Sequence, residues 1–266
     1  MNCTESSRIK HRLSNFNTTL INNRTIIEQL LLPHRCVLCS IQQQASLCQA
    51  CKTSLPKLDP NCCTLCLTPL PTFTHCGACL NTPPLWHYIV AGYRYAFPVD
   101  VMIQKLKYGL DLTLTPILAS FITSKIDRNP LPDAIIPVPL HPEKMKARGF
   151  NQAIEISRYV SKQTGIRVLS DICLRVKNTP SQIELPWKKR QQNVRNAFRC
   201  QSDLTNKHIA ILDDVMTSGA TVNALAKEII KQGATKVSVW VVARSLLSQK
   251  PQNNNQSLSQ LSDEFF

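Results

Sequence analysis

The chain has 266 residues, enough for one large domain or for one ordinary domain with a small appendage. Its 43% hydrophobic content, with 17 prolines against 7 glycines, excludes a low-complexity or fibrous chain and indicates a packed core. The 31 lysines and arginines outnumber the 17 acidic residues, and the resulting net charge of +14 favours polyanionic partners such as nucleic acid, nucleotides or phosphorylated sugars.

The first segment, residues 1–32, is predicted to be a partly disordered extension with one short helix over 21–32. It is polar at its start and lacks the apolar core of a secretory signal. No stretch of the chain approaches the roughly 18 apolar residues of a membrane span. We therefore expect a cytoplasmic protein without a membrane span, and in that compartment paired thiols bind metal more often than they form disulfides.

Four CxxC pairs follow within residues 33–82, which we predict to be a double zinc-ribbon module. Each pair can present two thiolates to one ion, and two pairs complete a closed tetrahedral site of the kind that holds structural zinc. We therefore expect about two Zn²⁺ ions, held by Cys36, Cys39, Cys48, Cys51, Cys63, Cys66, Cys76 and Cys79. Sequential pairing of the quartets is simplest, cross-braced pairing stays open, and disulfides, free thiols or redox-active pairs are the alternatives.

Three further side chains near the quartets are candidate ligands. Cys62 directly precedes Cys63 and is a spare thiol that could substitute for a ligand. His34 and His75 lie close enough to compete, but four cysteines already fill each site, so both are interpreted as bystanders.

Strand-like and helix-like stretches alternate over residues 86–247, the predicted main domain. Predicted strands cover 87–96, 134–139, 208–214 and 236–244. Predicted helices cover 99–109, 114–125, 151–165 and 220–233. This alternation indicates an α/β fold with a mostly parallel sheet. A long polar insert over 175–200 interrupts the pattern, and residues 248–266 are predicted to be a disordered tail.

The stretch "IAILDDVMTSGAT", residues 209–221, predicts a ligand site. Its apolar strand ends on Asp213 and Asp214, and ligands of parallel sheets bind beyond the carboxyl ends of the strands. The amides at the start of the next helix, with a glycine that permits close approach, form an anion cradle. The predicted phosphate-binding residues are Thr217, Ser218, Gly219, Ala220 and Thr221. A sugar 5-phosphate satisfies both halves; the alternative is an ordinary strand–turn–helix corner with Asp and Thr as caps.

The same stretch, "ILDDVMTSGAT", resembles the phosphoribosyl-diphosphate (PRPP) motif of type I phosphoribosyltransferases. The wider pattern resembles the ComF family, because the CxxC module is combined with "PVPL" (137–140), "RGFNQA" (148–153), "RNAF" (195–198) and the Asp-Asp loop. The resemblance covers roughly residues 33–246. It implies a sheet of the type I phosphoribosyltransferase kind, ribose hydroxyls bound by Asp213 and Asp214, and a 5-phosphate held by residues 217–221. Ser218 stands where threonine is commoner, but it keeps the hydroxyl.

Two basic segments extend this interpretation. Lys144, Lys146 and Arg148 follow the 134–139 strand on a predicted loop, which in this fold receives the pyrophosphate. We expect Arg148 to take part in catalysis together with Asp213 and Asp214. A solvated basic loop is the alternative.

The second basic segment is the insert over 175–200. It could close over PRPP or contact a nucleic-acid backbone, with Trp187 as a stacking face. Its charged residues are Lys188, Lys189, Arg190, Arg195 and Arg199.

The resemblance implies that a nucleophile displaces pyrophosphate from PRPP through an oxocarbenium-like transition state. In such chemistry the protein positions the reactants and stabilises charge, and Mg²⁺ bridges oxygens of the pyrophosphate and the ribose. The family is linked to DNA uptake and natural competence, so two other functions stay open: a non-catalytic accessory that binds single-stranded DNA, and a PRPP-sensing regulator. The acceptor has no recognisable signature, and Cys173 and Cys200 are interpreted as isolated structural cysteines.

Overall fold

A computed structural model of the chain describes residues 35–71, 74–126, 130–178 and 194–246. The predicted helix over 21–32, the predicted tail and the insert residues 187–190 lie outside these ranges. The domain boundaries drawn from the sequence remain predictions.

The cysteine-rich part consists of two similar halves. Each half opens with a tight turn closed by a single antiparallel bridge, Arg35 with Gln42 in the first and Cys62 with Pro69 in the second. Each then closes with a short helix that begins directly after a cysteine: α1 (Gln49–Thr53) and α2 (Gly77–Asn81).

The main domain is built on a five-stranded parallel sheet. Its strands are β1 (Tyr88–Arg94), β2 (Ala134–Pro137), β3 (Arg167–Val168), β6 (His208–Met216) and β7 (Lys236–Arg244), and they lie in the order β1-β7-β6-β2-β3. Its helices are α3 (Val99–Tyr108), α4 (Thr115–Thr123), α5 (Pro142–Arg148), α6 (Gln152–Thr164) and α7 (Ala220–Lys231), and a 3-10 turn (Leu112–Leu114) precedes α4. Strands β4 (Cys173–Arg175) and β5 (Phe198–Cys200) form a separate antiparallel ladder.

The core lies on both faces of this sheet, because successive strand residues alternate between them. Ile211 of β6 packs on the side of α7 and the β4–β5 ladder, whereas Leu212 packs on the side of α3, α4 and α6. Trp240 at the centre of β7 is fully buried. The predicted α/β class, with a mostly parallel sheet preceded by a module of two CxxC clusters, is confirmed. Within the described ranges, no helix is both long and apolar enough to cross a membrane.

Three local expectations are corrected. The segment after β2 was predicted to be a basic loop, but it contains α5, which the side chain of His141 caps and which Gly149 ends in a left-handed conformation (φ 81°). Strand β6 does not stop at residue 214 but continues to Met216. Cys173 and Cys200 are not isolated: they lie opposite each other on β4 and β5 and form a disulfide.

Candidate functional site

The crevice between the carboxyl ends of β2 and β6 is the candidate site. From β6 the chain passes through α7 to β7 on one side, and from β2 it passes through α5 and α6 to β3 on the other. Such a reversal of strand order leaves a crevice in which open α/β sheets bind ligands. β2 ends at Pro137, which pairs with Leu212. The next two residues of β6, Asp213 and Asp214, therefore project past the end of β2.

The two acids lie inside β6 instead of at its tip, because β7 pairs with this strand as far as Met216 opposite Arg244. Strand pairing fixes their backbone on one side, and the amide of Asp214 donates to Oδ1 of Asp213 at 2.9 Å. The acids are thus held rigidly in a strand that is open toward the crevice.

Lys107, near the end of α3, forms an ion pair with the carboxylate of Asp214. The lysine side chain is only 19% exposed and the aspartate side chain 9%. Burial lowers the pKa of Lys107, but its attraction to Asp214 outweighs this and the net pKa is raised. Both groups are therefore charged at neutral pH.

The pKa values of the two carboxyl groups are shifted in opposite directions. Burial and the neighbouring Asp214 charge raise the pKa of Asp213 well above its usual range. Burial also acts to raise the pKa of Asp214, but the Lys107 ammonium outweighs it and the pKa is lowered. The pair therefore holds one proton at Asp213 more tightly than an ordinary carboxylate does. A cation or a set of hydroxyl donors that displaces this proton can interact with two adjacent carboxylates.

The predicted phosphate loop connects β6 to α7. Gly219 is the N-cap of α7 and has a left-handed conformation (φ 78°), which a side chain rarely adopts. A Cβ at this position would lie 2.9 Å from the ring of Trp86 and 3.1 Å from the Met216 methyl group. A larger residue at 219 therefore strains the loop, because its side chain would collide with the ring of Trp86. The first amides of α7 lack intrahelical acceptors and carry the positive end of the helix dipole.

Arg148 ends α5 at the same edge. Its guanidinium lies over the ring of Tyr108, 5.4 Å from the centroid, and donates to Oε1 of Gln152 at 2.8 Å. Tyr108 directly follows Lys107, so the end of α3 brings the two cations to one side of the crevice. Lys144 and Lys146 lie on the preceding turns of α5, and Lys146 is exposed.

The eight cysteines of the CxxC pairs form two clusters, and the pairing is sequential. In each cluster the four sulfurs lie within 4.8 Å of one another. Backbone amides point at the sulfurs, as when Cys48 N–H donates to Sγ of Cys36 at 3.4 Å. Four soft thiolates in a closed group fit structural zinc. Cys62 is outside both clusters, as is His75; His34 lies outside the described residues.

The thiols within each cluster titrate unequally. Burial acts to raise the pKa of Cys36, but surrounding backbone amides outweigh it and lower the pKa to about 6; Cys63 is lowered in the same way to about 7. The hydrogen bond to Cys48, together with burial, raises the pKa of Cys51 to about 12. Negative charge is thus unfavourable on four crowded sulfurs, and a divalent cation bound among them would relieve their repulsion.

Four side chains of the site were not identified from the sequence. Lys107 lies four residues after Ile103 and eight after Val99, on the face of α3 that these two residues bury. A lysine at this spacing on an apolar helix face could therefore have been recognised in the sequence as a candidate buried charge. Arg244 ends a buried strand whose preceding five residues, 239–243, are all apolar. The other two, Trp86 and Arg175, carry no such signal. The Arg175 guanidinium, on β4, interacts electrostatically with Asp213.

Comparison with known proteins places the chain among relatives of similar length. A double zinc ribbon domain model matches residues 27–80. Competence protein F of Haemophilus influenzae is 34% identical over 75% of this chain and 90% of that protein. DNA utilization protein YhgH of Escherichia coli K12 is 30% identical over 82% and 100%. Competence protein ComFC of Bacillus subtilis is 23% identical over 77% and 87%.

Among solved structures, the chain is similar to a glutamine PRPP amidotransferase from B. subtilis, with 20% identity, a TM-score of 0.32 and coverage of 49% of this chain and 25% of that one. It is also similar to a purine phosphoribosyltransferase from Pyrococcus horikoshii, with 19% identity, a TM-score of 0.29 and coverage of 57% and 74%. From the sequence relationships, which extend over nine-tenths or more of the competence protein F and YhgH chains, the chain belongs to the ComF family of competence and DNA utilization proteins.

Proposed function

We propose that the crevice binds PRPP together with Mg²⁺. One juxtaposition carries this proposal: an acid pair on a central strand is followed, after two residues, by a glycine turn that opens α7, all at the switch point of a parallel sheet. A phosphorylated sugar is the simplest ligand that needs both an anion cradle and hydroxyl-binding oxygens.

In this proposal the ligand is held at three places. Residues 217–221 hold the 5-phosphate, and Asp213 with Asp214 accept from the ribose hydroxyls. Arg148 faces the pyrophosphate, and its charge is available there because its only described polar partner is the neutral amide of Gln152. Oxygen ligands of this kind suit Mg²⁺, which neutralises pyrophosphate charge when bound. Lys107 keeps Asp214 ionised for this purpose.

The proposed reaction is phosphoribosyl transfer to a nucleophilic acceptor. The acceptor forms a bond to C1 of the ribose, the bond from C1 to the pyrophosphate oxygen breaks, and its electron pair leaves with the pyrophosphate. No side chain of this crevice needs to act as a nucleophile, because positioning and charge stabilisation are sufficient for such a displacement. We further expect this to take place in the cytosol.

Calorimetric titration with PRPP and Mg²⁺ tests the binding proposal. Gly219→Val should abolish binding because it distorts the loop, whereas Gly165→Val is a matched control: Gly165 has nearly the same conformation (φ 77°) with no neighbour within 4 Å of a Cβ. Replacing Asp213 and Asp214 with Asn should weaken binding by about 10- to 150-fold per lost charged hydrogen bond. Asp133→Asn, at the other edge of the sheet, should have no effect. Absence of binding by the wild type at millimolar PRPP would refute the proposal.

A second function is favoured by the names of the relatives, a competence protein and DNA utilization proteins, and by the net charge of +14. We propose that the chain also binds single-stranded DNA, with affinity that falls steeply as salt rises. Replacing Lys188, Lys189 and Arg190 with Ala should flatten the salt dependence. A control that removes the same charge from exposed positions, Lys125, Lys162 and Lys231, should change it less. Equal slopes for the two triple variants would place the DNA surface elsewhere.

Turnover separates phosphoribosyl transfer from a third function, the sensing of PRPP without reaction. Release of pyrophosphate from PRPP on addition of candidate bases or amines identifies an enzyme. Binding of PRPP with no release in the presence of any acceptor in the panel identifies a regulator.

A further inference from the structure

Two buried side chains, Trp86 and Arg244, join the second thiolate cluster to the phosphate loop. The first CxxC pair of this cluster, Cys63 with Cys66, forms a tight turn that we call the knuckle. Two consecutive carbonyl groups of this knuckle, those of Leu65 and Cys66, point out of the ribbon and into the main domain. Trp86 donates its indole N–H to the Leu65 carbonyl at 2.7 Å, and Arg244 donates its Nε–H to the Cys66 carbonyl at 2.7 Å. Both donors are only 6% exposed, so neither bond is readily replaced by water.

The same two side chains hold the loop from its other side. Nη1 of Arg244 donates to the carbonyls of Met216, at 3.0 Å, and of Thr217. The indole of Trp86 packs against Gly219, leaving no space for a Cβ. Each side chain therefore spans from the knuckle to the loop, one at the start of the loop and one at its left-handed glycine.

A third contact fixes the start of α7. The amide of Leu85 donates to the side chain of Asn223 at 2.8 Å, and the Asn223 amide donates to the Gly219 carbonyl at 2.8 Å. The segment that leads from the second ribbon half into β1 is thereby attached to the first turn of the helix that the loop precedes.

The first cluster occupies a different place. Its half of the module contacts the core on the side of α3 and α4, through partly buried side chains that include Val37, Leu38 and Leu47. The contacts described above for Met216, Thr217 and Gly219 come instead from Trp86 and Arg244, which are bound to the second half. The two metal sites, alike in composition, thus have different neighbours.

We propose that the second cluster, Cys63, Cys66, Cys76 and Cys79, positions the phosphate loop through Trp86 and Arg244, and that the first cluster does not. Without a metal the crowded thiolates do not hold a closed knuckle, and the carbonyls of Leu65 and Cys66 leave their donors. Arg244 then loses one acceptor in a buried position, and the ring against Gly219 loses its anchor. Trp86 and Arg244 are positioning residues, since they act on the ligand through the loop.

Hydrogen exchange of the full-length protein, followed by mass spectrometry without any ligand, tests this proposal. In the Cys63→Ser, Cys66→Ser variant, the amides of residues 217–221 should exchange at least tenfold faster than in the wild type. In the Cys36→Ser, Cys39→Ser variant they should exchange at the wild-type rate. Exchange of the central strand amides 209–212 reports whether each variant retains the fold. Equal loop exchange in the two variants, whether fast or slow, would overturn the proposal.

A variant that keeps both metal sites covers the case in which the serine variant does not fold. Trp86→Phe removes the indole donor, and its zinc content should stay at the wild-type value. The loop amides should then exchange about fivefold faster than in the wild type, which is the effect expected from the loss of one hydrogen bond. Unchanged exchange in Trp86→Phe would also overturn the proposal.

The consequence for PRPP affinity rests on the proposed function and is measured separately. Calorimetry should give weaker PRPP binding for Trp86→Phe than for the Cys36→Ser, Cys39→Ser variant. If the wild type binds no PRPP, the proposed function fails while the exchange result still decides whether the cluster orders the loop.

Discussion

Removal of Lys107 should destabilise the protein strongly and in a pH-dependent manner. Lys107→Met keeps most of the length of the side chain but leaves the buried Asp214 carboxylate without its counter-charge. Breaking a buried pair in this way typically costs about 3–5 kcal/mol. The cost has a ceiling, because the carboxylate can take up a proton instead. For a reference pKa of about 3.9, protonation costs roughly 4 kcal/mol at pH 7 and roughly 1.5 kcal/mol at pH 5.

The sign follows from linkage. The folded-state pKa of Asp214 is lowered in the wild type, so its contribution to stability is present above the unfolded pKa and is lost as pH falls through the folded value. In Lys107→Met that contribution is absent, and the unpaired carboxylate takes up a proton at less cost as the pH falls. The loss of stability caused by the substitution should therefore shrink by about 2–3 kcal/mol between pH 7 and pH 5.

Urea unfolding with zinc in the buffer measures these differences, and Asp214→Asn and the double variant complete a cycle. The double variant should recover most of the stability lost by Lys107→Met, since no buried charge remains. A loss below about 1 kcal/mol at both pH values, or a double variant no more stable than Lys107→Met, would refute the argument that the pair is buried and coupled.

Two further predictions concern the metal sites and the acid pair. The purified protein should contain about two zinc ions per chain, and Cys36→Ser with Cys39→Ser should lose one of them without changing the circular dichroism of the α/β domain; freshly purified, reduced protein without zinc would contradict this. Affinity for PRPP with Mg²⁺ should rise with pH above the usual Asp range, because the raised pKa of Asp213 means that binding displaces a proton. Asp213→Asn should flatten this dependence in calorimetric titrations compared with the wild type, and identical profiles would show that the proton comes from the ligand alone.

Much of the fold follows from sequence pattern because the relevant signals are local. Strand β7 and helix α7 begin within one residue of their predicted starts, since an apolar run and a glycine-bounded amphipathic segment are visible without tertiary information. Helix α5 was missed although its signals were present: Pro142 at its first turn, a capping His141 and Gly149 after its end. Its lysines were instead weighed as ligands on a loop.

The contacts between elements could not be derived in the same way. The extension of β6 to Met216 depends on β7 continuing alongside it, and the joining of Cys173 to Cys200 depends on the pairing of β4 with β5 across an insert. The ion pair of Lys107 with Asp214 joins residues more than a hundred positions apart. Periodicity places Lys107 on a buried helix face, but only the packed fold supplies its partner.

The distribution of buried charge argues for a function at this edge of the sheet. Among the described residues, Asp214 and Arg244 are the charged residues that are buried, and both lie at the carboxyl edge of the two central strands. Burial of a charge costs folding free energy unless partners compensate it, and apolar pairs of similar volume are often at least as stable. Here the compensation comes from Lys107 on one side and from the carbonyls of Cys66, Met216 and Thr217 on the other. A fold that needed only stability would have an apolar strand end at this place. The charges instead hold one carboxylate ionised and one loop in place, which is what the proposed binding of a phosphorylated sugar requires.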